Sequence, residues 1–171
     1  AMLGTRPDIA FAVTVLSQFS SNPGMPHWVA LKRVLRYLNG SMNYKLVYGG
    51  SNGYSIAPQF IGYCDADWAS NVDDRRSVTG YVFMLAGGAI SWKTKKQPTV
   101  ALSSVEAEYM AATQATKEAI WFRALFSELG VSHILSGPSV ILSDSQGSIA
   151  LAKNPEFHQR TKHIDIQHHF V

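Results

Sequence analysis

The sequence predicts an α/β fold in which a mixed sheet carries helices on its faces and a helical hairpin comes first. Three observations lead there. Residues 60–68, 78–86 and 89–95 are strand-like runs, the last two joined by Gly87-Gly88, which reads as an antiparallel meander. A long helical stretch opens at Ser103-Ser104-Val105-Glu106, a capping box, and continues through Trp121, Phe122, Leu125 and Leu129 to Gly130. Residues 138–143 form a compact β-branched run, in appearance a buried strand, followed by a short helix over 148–153. The order βββαβα, with a last helix expected from about Thr161, implies a mixed sheet with helices packed on it.

At the N-terminal end, Thr5-Arg6-Pro7-Asp8 reads as a helix start with a Thr cap, Pro in the first turn and an early acid. The stripe Ile9, Ala12, Val13, Leu16, Phe19 follows, and Ser20-Ser21-Asn22-Pro23-Gly24 breaks the chain. A second helix is expected over residues 27–38, with Val34, Leu35 and Leu38 on one side, until Asn39-Gly40 ends it. Residues 44–48 and 54–58 are short strand-like stretches separated by glycines, after which composition changes. The predicted division is therefore 1–58, a helical hairpin with short strands, and 59–171, the sheet domain.

Composition narrows the function classes. At 171 residues, 46% of them hydrophobic, the chain can bury a real core and does not have the make-up of a disordered tail. The formal charge is +3, with bases clustered at Lys32-Arg33-Arg36, Arg75-Arg76, Lys93-Lys95-Lys96 and Arg160-Lys162. That suits a polyanionic partner, and a solvated basic face accounts for the charge equally well. Cys64 is the single cysteine, which excludes an intrachain disulfide and a thiolate zinc cluster and fits a reducing compartment. No apolar run reaches the roughly 18 residues needed to cross a bilayer, and a signal-peptide layout is absent, so a soluble, intracellular protein without a membrane partner is expected. The sequence opens as if in mid-chain and stops at Val171 inside an apparent helix, so a fragment cut short at its C-terminus is expected.

Four carboxylates carry the chemistry. Strand alternation puts Asp65 on the face of Ile61 and Tyr63, read as a covered face where it needs a partner; for Asp65 alone, a ligand and a turn cap stand equal. Glu106 belongs to the capping box, and two residues along a helix is a rotation of about 200°, so Glu108 faces elsewhere. Glu108 shares a side with Val105, Ala112 and Ala115, expected to lie against the sheet, and has no base three or four residues away. Asp144 ends the last strand, at the carboxyl end where open sheets bind ligands, with capping of the next helix as the alternative. Asp165 alone would be an ordinary exposed acid. Two like charges about 4 Å apart repel by roughly 4 kcal/mol at an effective dielectric near 20, a penalty that divalent cations remove. Oxygen ligands alone suit magnesium or manganese over zinc.

Several motifs carry a family resemblance: Tyr63-Cys-Asp-Ala-Asp-Trp-Ala69, Ser91-Trp-Lys-Thr-Lys-Lys-Gln-Pro98, Ser103-Ser-Val-Glu-Ala-Glu-Tyr109, Ser143-Asp-Ser-Gln146 and the tail from Asn154 to Ile166. In this order they resemble the ribonuclease H domain of copia-type LTR retrotransposon Pol polyproteins. Thr5-Arg-Pro-Asp-Ile9 and the hairpin resemble the connection to the preceding reverse transcriptase, so the resemblance spans essentially the whole chain.

The resemblance implies a ribonuclease H-like sheet, three antiparallel strands and then parallel ones. It also implies a metal site of Asp65, Glu108, Asp144 and Asp165 holding two Mg2+ ions, with Mn2+ as substitute. The activity implied is endonucleolytic hydrolysis of the RNA strand of RNA/DNA hybrids. His158 or His163 would assist proton transfer or product release, or else lie at the surface, and Lys93, Lys95, Lys96 and Arg160 would touch phosphates. Implied partners are the hybrid and the reverse transcriptase domain of the same polyprotein. The implied location is a cytoplasmic virus-like particle, with the nucleus as alternative. His27, His133, His168 and His169 are read as surface or capping residues, and Asp67, Asp73 and Asp74 as loop acids.

Three other readings stand beside this one. The first is a catalytically silent, domesticated module that binds nucleic acid or braces a reverse transcriptase. The second is an integrase or resolvase on the same superfold, disfavoured by the Asp, Glu, Asp, Asp order. The third is a histidine metal site of His158, His163 and His168.

Overall fold

The computed structural model describes residues 1–49, 59–135 and 137–153. The chain divides into two compact units, Ala1–Val47 and Tyr48–Val171.

The first unit is a pair of helices. A 3-10 turn at Pro7–Ile9 leads into α1 (Ala10–Ser17), and α2 spans Met25–Gly40. Thr5 does not cap this start as the sequence suggested; Arg6 precedes the turn and gives it no side-chain cap. Its guanidinium is engaged instead with Asp8 at 2.8 Å and with Ser41 Oγ at 2.6 Å, while Tyr37 Oη donates to Asp8 at 2.7 Å. The beginning of the hairpin is thus locked to the end of α2, and hydrogen bonding from Arg6 holds the Asp8 carboxyl down at about 2. His27 caps α2, its Nδ1 accepting from the Gly24 N–H at 2.9 Å, and its ring stacks on Phe19. Residues 44–48 form no strand among the described residues. Residues 54–58 and the expected boundary near 58 lie outside the described residues.

The second unit holds the sheet. β1 (Ile61–Ala66), β2 (Val78–Leu85) and β3 (Gly88–Lys96) form the antiparallel meander, and β4 (Val140–Leu142) pairs in parallel with β1, giving the order β3-β2-β1-β4. The sheet is therefore mixed, as expected, and compatible with the ribonuclease H-like architecture. Among the described residues β4 is an edge strand of three residues with Val140 and Leu142 half exposed, shorter and less buried than the sequence suggested. Among the described residues it pairs on one side only, with β1.

α3 (Ser104–Glu128) crosses one face of the sheet. Ser103 Oγ accepts from the Glu106 N–H at 3.2 Å, satisfying a donor that the first turn leaves open. Ala107, Ala111, Ala115 and Ala119 form a row of small side chains that lets the helix approach β1 and β2 closely, and Phe122 and Phe126 then fill the wider space beside Phe60 and Phe83. Gly62 belongs to the same fit, because a Cβ there would lie 2.6 Å from the Phe83 ring. Gln97, just beyond β3, fastens the sheet to the helix: its Nε2 donates to Thr79 Oγ1 at 3.0 Å and to Ala107 O at 2.9 Å.

A 3-10 turn at Ser132–Ile134 follows α3, and α4 (Gln146–Lys153) packs Leu151 against Tyr109 of α3. Gly147 permits that approach, since a Cβ would meet Val105 at 2.6 Å. The final helix expected from Thr161 lies outside the described residues. Among the described residues no helix is long and apolar enough to cross a membrane.

Candidate metal centre

Three elements bring three acids together. Asp65 stands one residue from the end of β1, Glu108 in the second turn of α3, and Asp144 two residues beyond β4. One carboxylate oxygen from each lies within 4.8 Å of the other two, a spacing at which a single cation can touch all three.

The face of Asp65 differs from the sequence reading. Alternation holds, but the row that α3 covers is Gly62, Cys64 and Ala66, so Asp65 shares the more open row with Ile61 and Tyr63. Period 2 separates two faces without saying which one a helix will cover. Glu108 lies at the rim of the buried alanine row and is the least exposed of the three acids. The capping alternative for Asp144 falls away, because Ser145 holds that position: its Oγ accepts from the Ser148 N–H at 3.2 Å. Glu106 is buried and turned elsewhere, with Oε2 accepting from the Leu102 N–H at 2.7 Å.

Electrostatics marks the cluster as incomplete by itself. Burial first, and then the charge of Asp65, push the Glu108 carboxyl up to about 7; a hydrogen bond from the Ala66 backbone pulls it back and Asp144 adds to the rise. Glu108 Oε2 is buried with no hydrogen-bond partner among the described residues. The neighbouring Cys64 thiol is pushed up to about 11, by burial and then by Glu108, so it behaves as an inert core side chain. An orphaned carboxylate oxygen, two further carboxylates and no basic side chain paired to any of them among the described ion pairs fit a hard divalent cation.

A pH dependence follows for the metal-free protein. The folded value of Glu108 is raised above its ordinary 4.5, so the folded chain binds the proton more tightly. That contribution is fully present below about 4.5 and is lost as pH rises through about 7. Melting temperature in EDTA should therefore fall between pH 5 and 8 in the wild type and stay flatter in Glu108→Gln. Magnesium should restore the loss in the wild type alone; identical profiles for the two proteins would show that Glu108 is not under this strain.

The remaining site candidates divide. Lys93 and Lys95 are exposed on β3, opposite Tyr81 and Thr79 of β2. β3 lies two strands from β1, about 10 Å across the sheet, and on the opposite side from β4. Lys96 is engaged at 2.6 Å by Asp74, which weakens its assignment as a phosphate contact. Asp74 is thereby a loop acid, as expected, and Asp67 is another, accepting from Val78 N and Ser70 Oγ. Asp165, His158, His163 and Arg160 lie outside the described residues. Sequence reasoning missed Gln97 and Trp68. The indole of Trp68 donates to Ala101 O at 3.2 Å, linking the end of β1 to the segment before α3. A polar residue directly after a basic strand and a tryptophan directly after an acidic pair are the signals that could have found them.

Comparison with known proteins gives the chain's relatives. The chain is 50% identical over all 171 residues to the retrovirus-related Pol polyprotein from transposon TNT 1-94 of Nicotiana tabacum, matching 12% of that protein. It is 44% identical over 167 residues, 98% of this chain and 11% of the relative, to the retrovirus-related Pol polyprotein from transposon RE2 of Arabidopsis thaliana. It is also 55% identical over 120 residues, 70% of this chain and 82% of the relative, to the secreted RxLR effector protein 161 of Plasmopara viticola. No family model matches the chain, and no solved structure matches it. At 44–50% identity over nearly its whole length, the chain is homologous to a segment of retrovirus-related transposon Pol polyproteins and spans only 11–12% of their length.

Proposed function

We propose that this segment is the ribonuclease H of a copia-type Pol polyprotein, hydrolysing the RNA strand of RNA/DNA hybrids during reverse transcription. The observation that carries the reading is the meeting of Asp65, Glu108 and Asp144 within 4.8 Å, with Glu108 Oε2 left without a partner among the described residues. Asp65, Glu108 and Asp144 would hold Mg2+, or Mn2+ in its place, with Asp165 completing the set. Paired ions of this kind lower the pKa of an attacking water and stabilise the departing oxygen of a phosphodiester. The chain's own part is to fix three carboxylates on a strand, a helix and a strand end, and to let Glu108 give up its proton on loading. Lys93, Lys95 and Arg160 would contact phosphates, and choice of RNA would come from 2′-hydroxyl contacts across the minor groove. The reverse transcriptase of the same polyprotein is the proposed partner, within a cytoplasmic particle of the element.

A second reading is a silent module that binds nucleic acid without cutting it. A likeness covering 82% of a relative that is not named as a Pol polyprotein leaves room for it, and the three assembled acids weigh against it. One assay separates the two. Purified chain with magnesium is given labelled hybrid, duplex DNA and duplex RNA. The ribonuclease reading expects cleavage of the RNA strand of the hybrid alone, leaving 3′-hydroxyl and 5′-phosphate ends. Binding of hybrid with no cleavage in magnesium or manganese would support the silent module and sink the nuclease.

A further inference from the structure

The connection between β1 and β2 begins at Asp67, two residues after Asp65, and is held by hydrogen bonds at several points. Asp67 N donates to Val78 O at 3.2 Å, and the Asp67 carboxylate accepts from Val78 N and Ser70 Oγ. Ala69 N donates to Ser77 Oγ at 3.0 Å, although Ala69 has φ 52°, a left-handed conformation that costs an alanine free energy. Arg75, in the same connection, has φ 55°. Two strained residues persist in one short connection because the surrounding hydrogen bonds hold them there.

What this scaffold presents is Trp68. Its indole N–H is tied to Ala101 O, which fixes the ring, yet 55% of the residue is exposed. Other tryptophans are equally exposed, Trp28 at 52% and Trp121 at 55%, but Trp28 belongs to the other unit and Trp121 lies on the long helix more than three turns from Glu108. Trp68 stands three residues from Asp65, so their Cα atoms are within about 10 Å. Its hydrogen bond also joins the segment just after β1, which carries Asp65, to the segment just before α3, which carries Glu108. A large apolar ring held rigid in water loses little further entropy on binding and gains its burial, which is what an interface anchor requires.

We propose that Trp68 is a substrate-positioning residue: its exposed indole face packs against a sugar of the nucleic acid in the minor groove and sets the backbone over the acid cluster. This rests on the hybrid being the substrate. A rigid apolar plate beside a polyanion-cutting site meets the sugar ring, the part of the backbone that carries no charge.

Cleavage and binding by Trp68→Ala, Trp68→Phe and Trp68→Leu test it. Binding is read as anisotropy of a labelled hybrid with calcium in place of magnesium, and cleavage as KM and kcat in magnesium. Trp68→Ala should weaken binding and raise KM by about tenfold, as loss of an aromatic anchor does, with kcat changed by less than about threefold. Trp68→Phe keeps a flat face without the N–H and should recover most of the loss, whereas Trp68→Leu should not. A fall in kcat alone, or equal behaviour of Phe and Leu, would overturn the proposal in favour of a purely structural tie to Ala101. If the wild type binds hybrid and does not cut it, the nuclease reading fails while the binding series still judges Trp68. If Trp68→Ala does not fold, the Phe and Leu pair decides.

Discussion

Asp144→Asn should lower the rate of hybrid cleavage roughly a thousandfold, the order of effect expected when a group that stabilises transition-state charge is removed. The substitution is nearly isosteric. Asp144 lies beyond the last ladder pair of β4 and does not cap α4, since Ser145 does, so the fold has little reason to change. What changes is charge: one of three carboxylates that can share a cation becomes neutral. Glu106→Gln is the control on the same helix that carries Glu108. Its carbonyl can still accept from the Leu102 N–H, so most activity should remain, at a stability cost of about 1 kcal/mol. Steady-state rates and magnesium titrations of the two variants check this, and equal losses from both would show the helix assignment to be wrong.

The largest expected effect on stability belongs to Phe83→Ala. Phe83 is completely buried, with its ring 5.1 Å from Phe60 and 5.9 Å from both Tyr81 and Phe122. Truncation removes the ring on which both the α3 contact and the Gly62 approach depend, and large-to-small changes of this type cost about 3–5 kcal/mol. That is a large part of the roughly 5–15 kcal/mol that holds a domain together, so the variant should be close to unfolding at room temperature. Urea denaturation followed by far-UV circular dichroism measures it. A loss below about 1 kcal/mol would place the main core elsewhere.

Much of this was legible in the residues. Gly87-Gly88 between two alternating runs signalled the β2–β3 hairpin, although its turn is Ala86-Gly87 and Gly88 already opens β3, and Ser103 with Glu106 signalled the start of α3, because both signals act over a few residues. Asp65, Glu108 and Asp144 were legible as acids in otherwise apolar settings, each needing a partner that its own neighbourhood lacked. What local pattern could not supply is tertiary. Which row of β1 is covered depends on where α3 lands, so Asp65 was placed correctly with Ile61 and Tyr63 but that row was wrongly taken as the covered one. Lys96 was read as a phosphate contact with Lys93 and Lys95, and its ion pair with Asp74, 22 residues earlier, could not be seen from local pattern. Residues 44–48 had strand propensity but join no ladder among the described residues, and Thr5 had cap chemistry while Arg6 had stronger business with Asp8 and Ser41.

The shortness of β4 has a consequence for when this centre exists at all. Its three residues join a strand roughly 80 positions earlier, and closing so long a loop carries an entropy that three ladder pairs offset only weakly. Among the described strands Asp144 therefore hangs from the most weakly latched one, beside two acids that repel it. Anything that bridges the three at once binds the closed form over the open one, so closure and loading become a single equilibrium. Divalent ions in the surroundings would then decide how long the latch stays shut, as well as whether anything is cut.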